Sequence, residues 1–391
     1  MTYVEPGHVI HDADAHILET PDWFEGFADQ RVASALRRIL EPYCGEEVQA
    51  SRTLHADTLY REQDEAELMT RKNWRATGSF LSEDRPAALD LLGFASQLVF
   101  PTMSVGYLAA LEHRDDMDLL YGTAEASNRA MGAFCSSDPR LLAVGYVPLA
   151  EIERAPAAAE QAIEEGCRAL LIPSRCPRNH ATSHRDLDAL WARAQEAGLP
   201  ILFHVGNPDE LLTDAHKNNG APPVSDFHGG SENFTSVSYM AIPAQPSLAL
   251  SMMILDGVLE RFADLRVGVI ELGASWMPGF MRQIDSAQDA FSRTEGRLQS
   301  LSLRASEYVR RQVRVTPFPA EDAGWIVEQT GPEVCLFSSD YPHVEGGRNP
   351  LARFQRSLEG LPPESRERFY RHNFEDLMGR GLDAVPMFNA E

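Results

Sequence analysis

The chain has 391 residues, 43% of them apolar, enough to bury one large core around a single catalytic domain spanning residues 1–391. Its 58 acidic against 35 basic side chains give a formal net charge of −23, which argues against nucleic acid and anionic membrane surfaces as partners and favours a small-molecule substrate. The five cysteines, Cys44, Cys135, Cys167, Cys176 and Cys335, are far apart and form no CxxC pair, so neither a disulfide framework nor a zinc ribbon is expected.

From the N-terminus, Met1 to His16 is polar and acidic where a signal peptide would be basic and then apolar, and no stretch of about 18 apolar residues follows anywhere. A cytoplasmic location is expected. The first strand is read over His8–Asp14, followed by an insertion over residues 22–90 whose Glu, Arg, aromatic and leucine content predicts helices. Strands are then predicted at Gln97–Phe100, Leu141–Val147, Arg168–Ile172, Pro200–His204, Leu265–Glu271, Gln312–Thr316 and Val334–Asp340. Helical periodicity falls between them, at Arg114–Cys135, Glu151–Glu165, Leu187–Ala197, Ser247–Phe262 and Trp276–Phe291. Eight strands alternating with helices predict an α/β fold of the (β/α)8 TIM-barrel type. Residues 206–246, dense in Gly, Pro and Asn, are read as a long loop after the fifth strand that covers the active site.

The chemistry gathers at strand ends. Asp12, Asp14 and His16 alternate along the end of the first strand and are expected to share one face. His204, Glu271 and Asp340 each close an otherwise apolar strand. In a parallel barrel these ends converge on one opening, and buried carboxylates there must be paired or metal-bound. The candidate metal ligands are therefore Asp14, His16, His204, Glu271 and Asp340. This set, rich in oxygen and free of thiolate, suits Zn, Mn or Fe, with room for one or two divalent ions.

Around this core, Asp340, His343 and His228 are candidate catalytic groups; His343 lies three residues past Asp340, and His228 sits in the Gly-rich loop. Arg175 and Arg178, after the fourth strand, are candidate clamps for a substrate carboxylate. Trp23 and Trp276 are read as packing residues. His8, His11, His55, His113, His180, His184, His216 and His372 have no partner at ligand spacing and are read as structural or exposed. A serine-hydrolase elbow, a Walker loop and a dinucleotide glycine pattern are all missing from the sequence.

The sequence resembles the amidohydrolase-related family, the branch of the amidohydrolase superfamily that includes decarboxylases of aromatic and amino-muconate acids. The matching strings are Asp14-Ala15-His16-Ile17-Leu18-Glu19-Thr20-Pro21-Asp22, Leu187-Asp188-Ala189-Leu190-Trp191 and Ala197 to His204. Asp264-Leu265-Arg266-Val267, Glu271 to Pro278, Ser338-Ser339-Asp340-Tyr341-Pro342-His343 and Asn373 continue them in order. The resemblance implies a metal held by Asp14, His16, His204 and Asp340, with hydrolysis or non-oxidative decarboxylation of a small carbonyl or carboxylate compound. One departure stands out. The usual HxH of the first strand is Asp14-x-His16 here, and the sixth-strand position that can be His is Glu271. That departure also resembles a small set of barrels that hold two metals, including iron, and activate dioxygen, so a dinuclear Fe or Fe/Mn monooxygenase is the alternative. A metal-binding structural subunit is a second alternative. A homo-oligomer is expected, or a hetero-oligomer with a paralogue.

Overall fold

The computed structural model describes residues 3–5, 7–62, 68–206, 211–222 and 235–386. Seven strands, β1 (His11–His16), β2 (Ser96–Phe100), β3 (Leu141–Tyr146), β4 (Ala169–Leu171), β5 (Ile201–His204), β6 (Val267–Ile270) and β7 (Val313–Val315), form one parallel sheet in sequence order. Helices on its outer face separate successive strands, as a run of βα units requires.

The expected eighth strand is not a regular one. The segment 334–341 makes single parallel bridges, Cys335 to Val315 on one side and Tyr341 to Ala15 on the other, and so closes the curled sheet between β7 and β1. Its backbone donors explain the irregularity. Leu336 N–H reaches Val315, but Phe337 N–H goes to the Phe369 carbonyl and Ser339 N–H to the Asp12 carboxylate, and Asp340 turns left-handed at φ +54°.

Alternation along the strands builds two apolar layers. Leu98, Phe100, Leu142, Val144, Leu202 and Ile270 fill the lumen. Val99, Ala143, Ile201, Phe203, Val267 and Val269 face the surrounding helices. His204, two residues after Leu202, therefore closes the lumen side of β5.

The predicted insertion after β1 is helical. Its main helix, Gln30–His55, starts at Asp29, whose carboxylate accepts the Val32 N–H at 2.9 Å. Val32, Leu36, Leu40 and Val48 pack with Trp74 and Phe80 against Ala126 and Ala130 of the helix Met117–Cys135. A further helix, Arg85–Leu92, leads into β2. Within the range read as a long loop, helices occupy Asp214–Lys217 and Ser236–Ala241, and Ala244–Leu255 begins there; Thr235 starts the second by accepting the Ser238 N–H. Composition hides the helix Ser236–Ala241 because a capped turn needs only one residue, here Thr235, at the right place. Among the described residues no helix is long and apolar enough to cross a membrane.

Helix packing is closest at Gly132, where an added Cβ would lie 1.9 Å from the Glu165 carbonyl oxygen. Gly132→Ala is expected to destabilise the fold by about 1–3 kcal/mol, because backbone must move to admit one methyl. Urea denaturation checks this, and an unchanged midpoint would contradict it.

Candidate metal centre

Four elements deliver the site. Asp14 and His16 come from β1, and His204 ends β5. Glu271 follows β6, its N–H fixed by Thr316 Oγ1 at 2.9 Å, and Asp340 lies in the closing segment with His343 one turn on, where His343 N–H reaches the Asp340 carbonyl at 2.8 Å. Glu271 and Asp340 are both left-handed, at φ +53° and +54°. Non-glycine residues hold that conformation at a cost, and such strain concentrates at functional sites.

The side chains form two overlapping groups that share His16. Asp14, His16, His204 and Glu271 bring one ligand atom each within 4.8 Å of one another, and so do His16, Asp340 and His343. His16 Nε2 lies 3.1 Å from Asp14 Oδ1 and 3.7 Å from Asp340 Oδ1. His204 Nε2 lies 3.4 Å from Asp14 Oδ1 and 3.3 Å from Glu271 Oε2. His343 Nδ1 stands 3.2 Å from Asp340 Oδ1, and its ring stacks on His16 with centroids 4.0 Å apart.

This set fits a divalent cation on the protein's own hydrogen-bond accounting. His204 Nδ1 is 2.9 Å from the Val205 carbonyl, which can only accept, so that nitrogen carries the hydrogen and a neutral ring turns a bare Nε2 toward two carboxylates. His16 Nε2 and Asp340 Oδ1 are buried with no hydrogen-bond partner. Bare nitrogens facing carboxylate oxygens repel unless a cation lies between them. The donors are imidazole and carboxylate without sulfur, which suits Zn, Mn or Fe.

Electrostatics follow from the same packing. Burial, together with the charge on His343, pulls His16 down to about 3. Burial works against ionisation of Asp14, yet the adjacent imidazoles of His16 and His204 hold it below the usual carboxylate range. Asp340 is pushed up to about 6 by burial, against the pull of His343. Burial would lower His343, but Asp340 outweighs it and raises the imidazole to about 9.

Asp12 does not join this group. The β1–β2 register shifts between Asp12 and Ala15, and a bulge of that kind redirects side chains. Asp12 instead accepts Ser339 N–H at 2.7 Å, Ser339 Oγ at 2.6 Å and Gln97 Nε2 at 2.9 Å. Arg85, fully buried, continues the chain. Its Nε donates to Gln97 at 3.2 Å, and Nη1 to the carbonyls of His16 at 2.9 Å and Gly78 at 3.1 Å. Gly78 permits this approach, being left-handed and 2.6 Å, at its would-be Cβ, from the Arg85 Cα.

Arg175 is exposed and lines a cavity that adjoins His204, together with Val105, Tyr146, Leu171, Ile242 and Leu272. Arg178 points elsewhere, donating to Asp115 at 2.7 Å and to the His113 carbonyl. His228 lies outside the described residues. Sequence reasoning missed Lys72 of the insertion, whose Nζ is buried with no hydrogen-bond partner; burial lowers its pKa to about 8 against the opposing charges of Asp340 and Glu345. Nothing local in the sequence marks it.

A parallel barrel with carboxylates and imidazoles converging on its open end is the framework of a metal-dependent enzyme. The chain belongs to the amidohydrolase family, whose profile matches residues 11–380. No curated protein matches it in sequence. Among solved structures it is similar to an amidohydrolase from Mycobacterium avium subsp. paratuberculosis, with 20% identity, TM-score 0.69, and 95% of this chain and 99% of that one covered. It is also similar to 5-carboxyvanillate decarboxylase from Sphingomonas paucimobilis, at 16% identity and TM-score 0.61 over 95% and 98% of the two chains. A dihydroxybenzoic acid decarboxylase from Polaromonas, solved with manganese and the inhibitor 2-nitroresorcinol, aligns at 13% identity and TM-score 0.61 over 95% and 97%.

Proposed function

We propose that this enzyme performs divalent-metal-dependent, non-oxidative decarboxylation of a small, largely apolar carboxylic acid, an aromatic acid with an oxygen next to the carboxylate being the best fit. The observation that carries this reading is the cavity beside His204, walled by Val105, Leu171, Ile242 and Leu272 and carrying, among the described residues, the guanidinium of Arg175. Apolar walls beside the metal position favour an apolar group there over water. A carboxylate stripped of water gains by leaving as neutral CO2, which favours carbon–carbon cleavage over attack by water. Decarboxylases of aromatic acids among the structural neighbours support the same choice.

A bound divalent ion supplies Lewis acidity toward the substrate's carboxylate and adjacent oxygen. Asp14, His16, His204, Glu271 and Asp340 would hold that ion. Arg175 anchors an anionic oxygen of the substrate, and the Asp340–His343 pair holds the proton that replaces the departing CO2 on carbon. Atoms balance as carboxylate plus proton giving the shortened product plus CO2. Arg178, tied to Asp115, has no part in this reading. None of the comparisons supports the oxygenase or accessory-subunit alternatives.

The test is a panel of hydroxybenzoates and related acids incubated with the manganese-loaded or zinc-loaded protein, with CO2 measured directly, beside a panel of amides, esters and lactones. CO2 release without oxygen uptake is expected. Hydrolysis with no CO2 from any acid would overturn decarboxylation and leave the hydrolase reading. Asp14, His16, His204 and Glu271 gather around one position, so with a single ion there Glu271→Gln is expected to weaken metal binding by roughly tenfold or more while keeping one equivalent at saturation. Elemental analysis and calorimetric titration check this; a fall from two equivalents to one would instead show a dinuclear site.

A further inference from the structure

Thr102 lies two residues beyond β2, where its hydroxyl meets three groups, two from the end of β1 and one from the closing segment. Oγ1 is 2.6 Å from the Ile17 carbonyl, 3.0 Å from His343 Nε2 and 3.3 Å from His16 Nδ1. A threonine hydroxyl has one hydrogen to give and two lone pairs to receive with. The carbonyl of Ile17 can only accept, and the shortest of the three contacts therefore uses the hydrogen. Both imidazole contacts must then run the other way, with N–H groups donating to Thr102.

We propose that Thr102 is a positioning residue that fixes where His16 and His343 carry their hydrogens, placing one on His16 Nδ1 and one on His343 Nε2, and so turns His16 Nε2 and His343 Nδ1 toward the carboxylates of the metal position. The opposite tautomer of His16 would aim an N–H at the cation and cancel a ligand. A metal-binding imidazole needs its far nitrogen held by a partner, and Thr102 supplies this for His16 while holding His343 Nε2 with the same atom.

The turn that presents the hydroxyl is itself anchored. The buried carboxylate of Glu19 accepts the N–H groups of Thr102 at 3.1 Å, Met103 at 2.9 Å and Ser104 at 3.0 Å, and the Ser104 hydroxyl at 2.8 Å. These are the first donors of the helix Met103–Leu111, which an acidic group satisfies in both hydrogen bonding and charge. Glu19 thus sets the position of Thr102, and Thr102 the hydrogens of His16 and His343.

This inference rests on the metal centre and not on the reaction. The full chain is compared as wild type, Thr102→Ser and Thr102→Val, the last nearly isosteric and lacking the hydroxyl. Nitrogen-15 NMR of the imidazoles in the metal-free protein is expected to show His16 protonated on Nδ1 in wild type and Thr102→Ser, with Thr102→Val losing that preference. Calorimetric titration with zinc or manganese alone is expected to give wild-type affinity in Thr102→Ser and a loss of roughly ten- to a hundredfold in Thr102→Val. Circular dichroism separates this from misfolding. A His16 protonated on Nε2 in the wild type, or equal metal affinity in wild type and a folded Thr102→Val, would overturn the role of Thr102 alone. A wild type that binds neither ion would instead overturn the metal centre.

Discussion

Replacing Asp340 with asparagine is expected to lower turnover by roughly three orders of magnitude or more and to strip most bound metal at limiting ion concentration. Asp340 stands at φ +54°, a conformation asparagine tolerates as well as any side chain with a Cβ, so the closing segment and its bridge to β1 should persist. What changes is charge. Asp340 Oδ1 is buried, without a hydrogen-bond partner, 3.7 Å from His16 Nε2 and 3.2 Å from His343 Nδ1. A neutral amide there weakens the hold on a hard cation and leaves His343 without its anion. Elemental analysis beside steady-state rates on a substrate found in the CO2 screen checks this. Metal content at the wild-type level with turnover reduced less than tenfold would contradict it.

Arg85→Met is expected to cost about 3–5 kcal/mol of stability, the largest effect anticipated for a residue outside the ligand set. The guanidinium is fully buried, and it serves the carbonyls of His16 and Gly78 and the amide of Gln97 while lying over the Tyr341 ring at 5.1 Å. Methionine fills much of the volume but leaves these acceptors unmet, each a buried polar group with a desolvation penalty of about 1–3 kcal/mol. The loss spreads to Asp12, whose carboxyl burial pushes up to about 7 and which Gln97 and Ser339 hold across the β1 junction with the closing segment. Equilibrium unfolding in urea measures it. A change below about 1 kcal/mol would show that water replaces the guanidinium.

Much of this architecture is legible in the sequence because its signals are local. Val267 to Ile270 and Ile201 to Phe203 announce strands by composition, and a Glu or His closing such a run announces a group at the barrel mouth. The closing segment was harder to read, since its donors serve Asp12 and Phe369, contacts that apolar patterning in residues 334–340 does not encode. The alternation of Asp12, Asp14 and His16 misleads for a related reason: a register shift in β1 parts Asp12 from the other two. Thr102 and Arg85 carry no local signal. The hydroxyl of Thr102 matters through rings 86 and 241 residues away, and Arg85 through carbonyls of His16 at the end of β1 and of Gly78 in the insertion. Lys72 lies in the helical insertion, where periodicity reports only which face packs.

The central claim is that five side chains from β1, β5, the turn after β6 and the closing segment exist to hold a divalent cation. Elemental analysis of the full chain purified without added metal, followed by chelation and calorimetric titration with manganese and zinc, tests it most directly. The account predicts a divalent metal in the purified protein, its removal by chelator with a fall in melting temperature, and rebinding that His204→Ala abolishes while the protein remains folded. A folded wild-type chain that carries no metal, takes up neither ion and melts at the same temperature with and without them would contradict it.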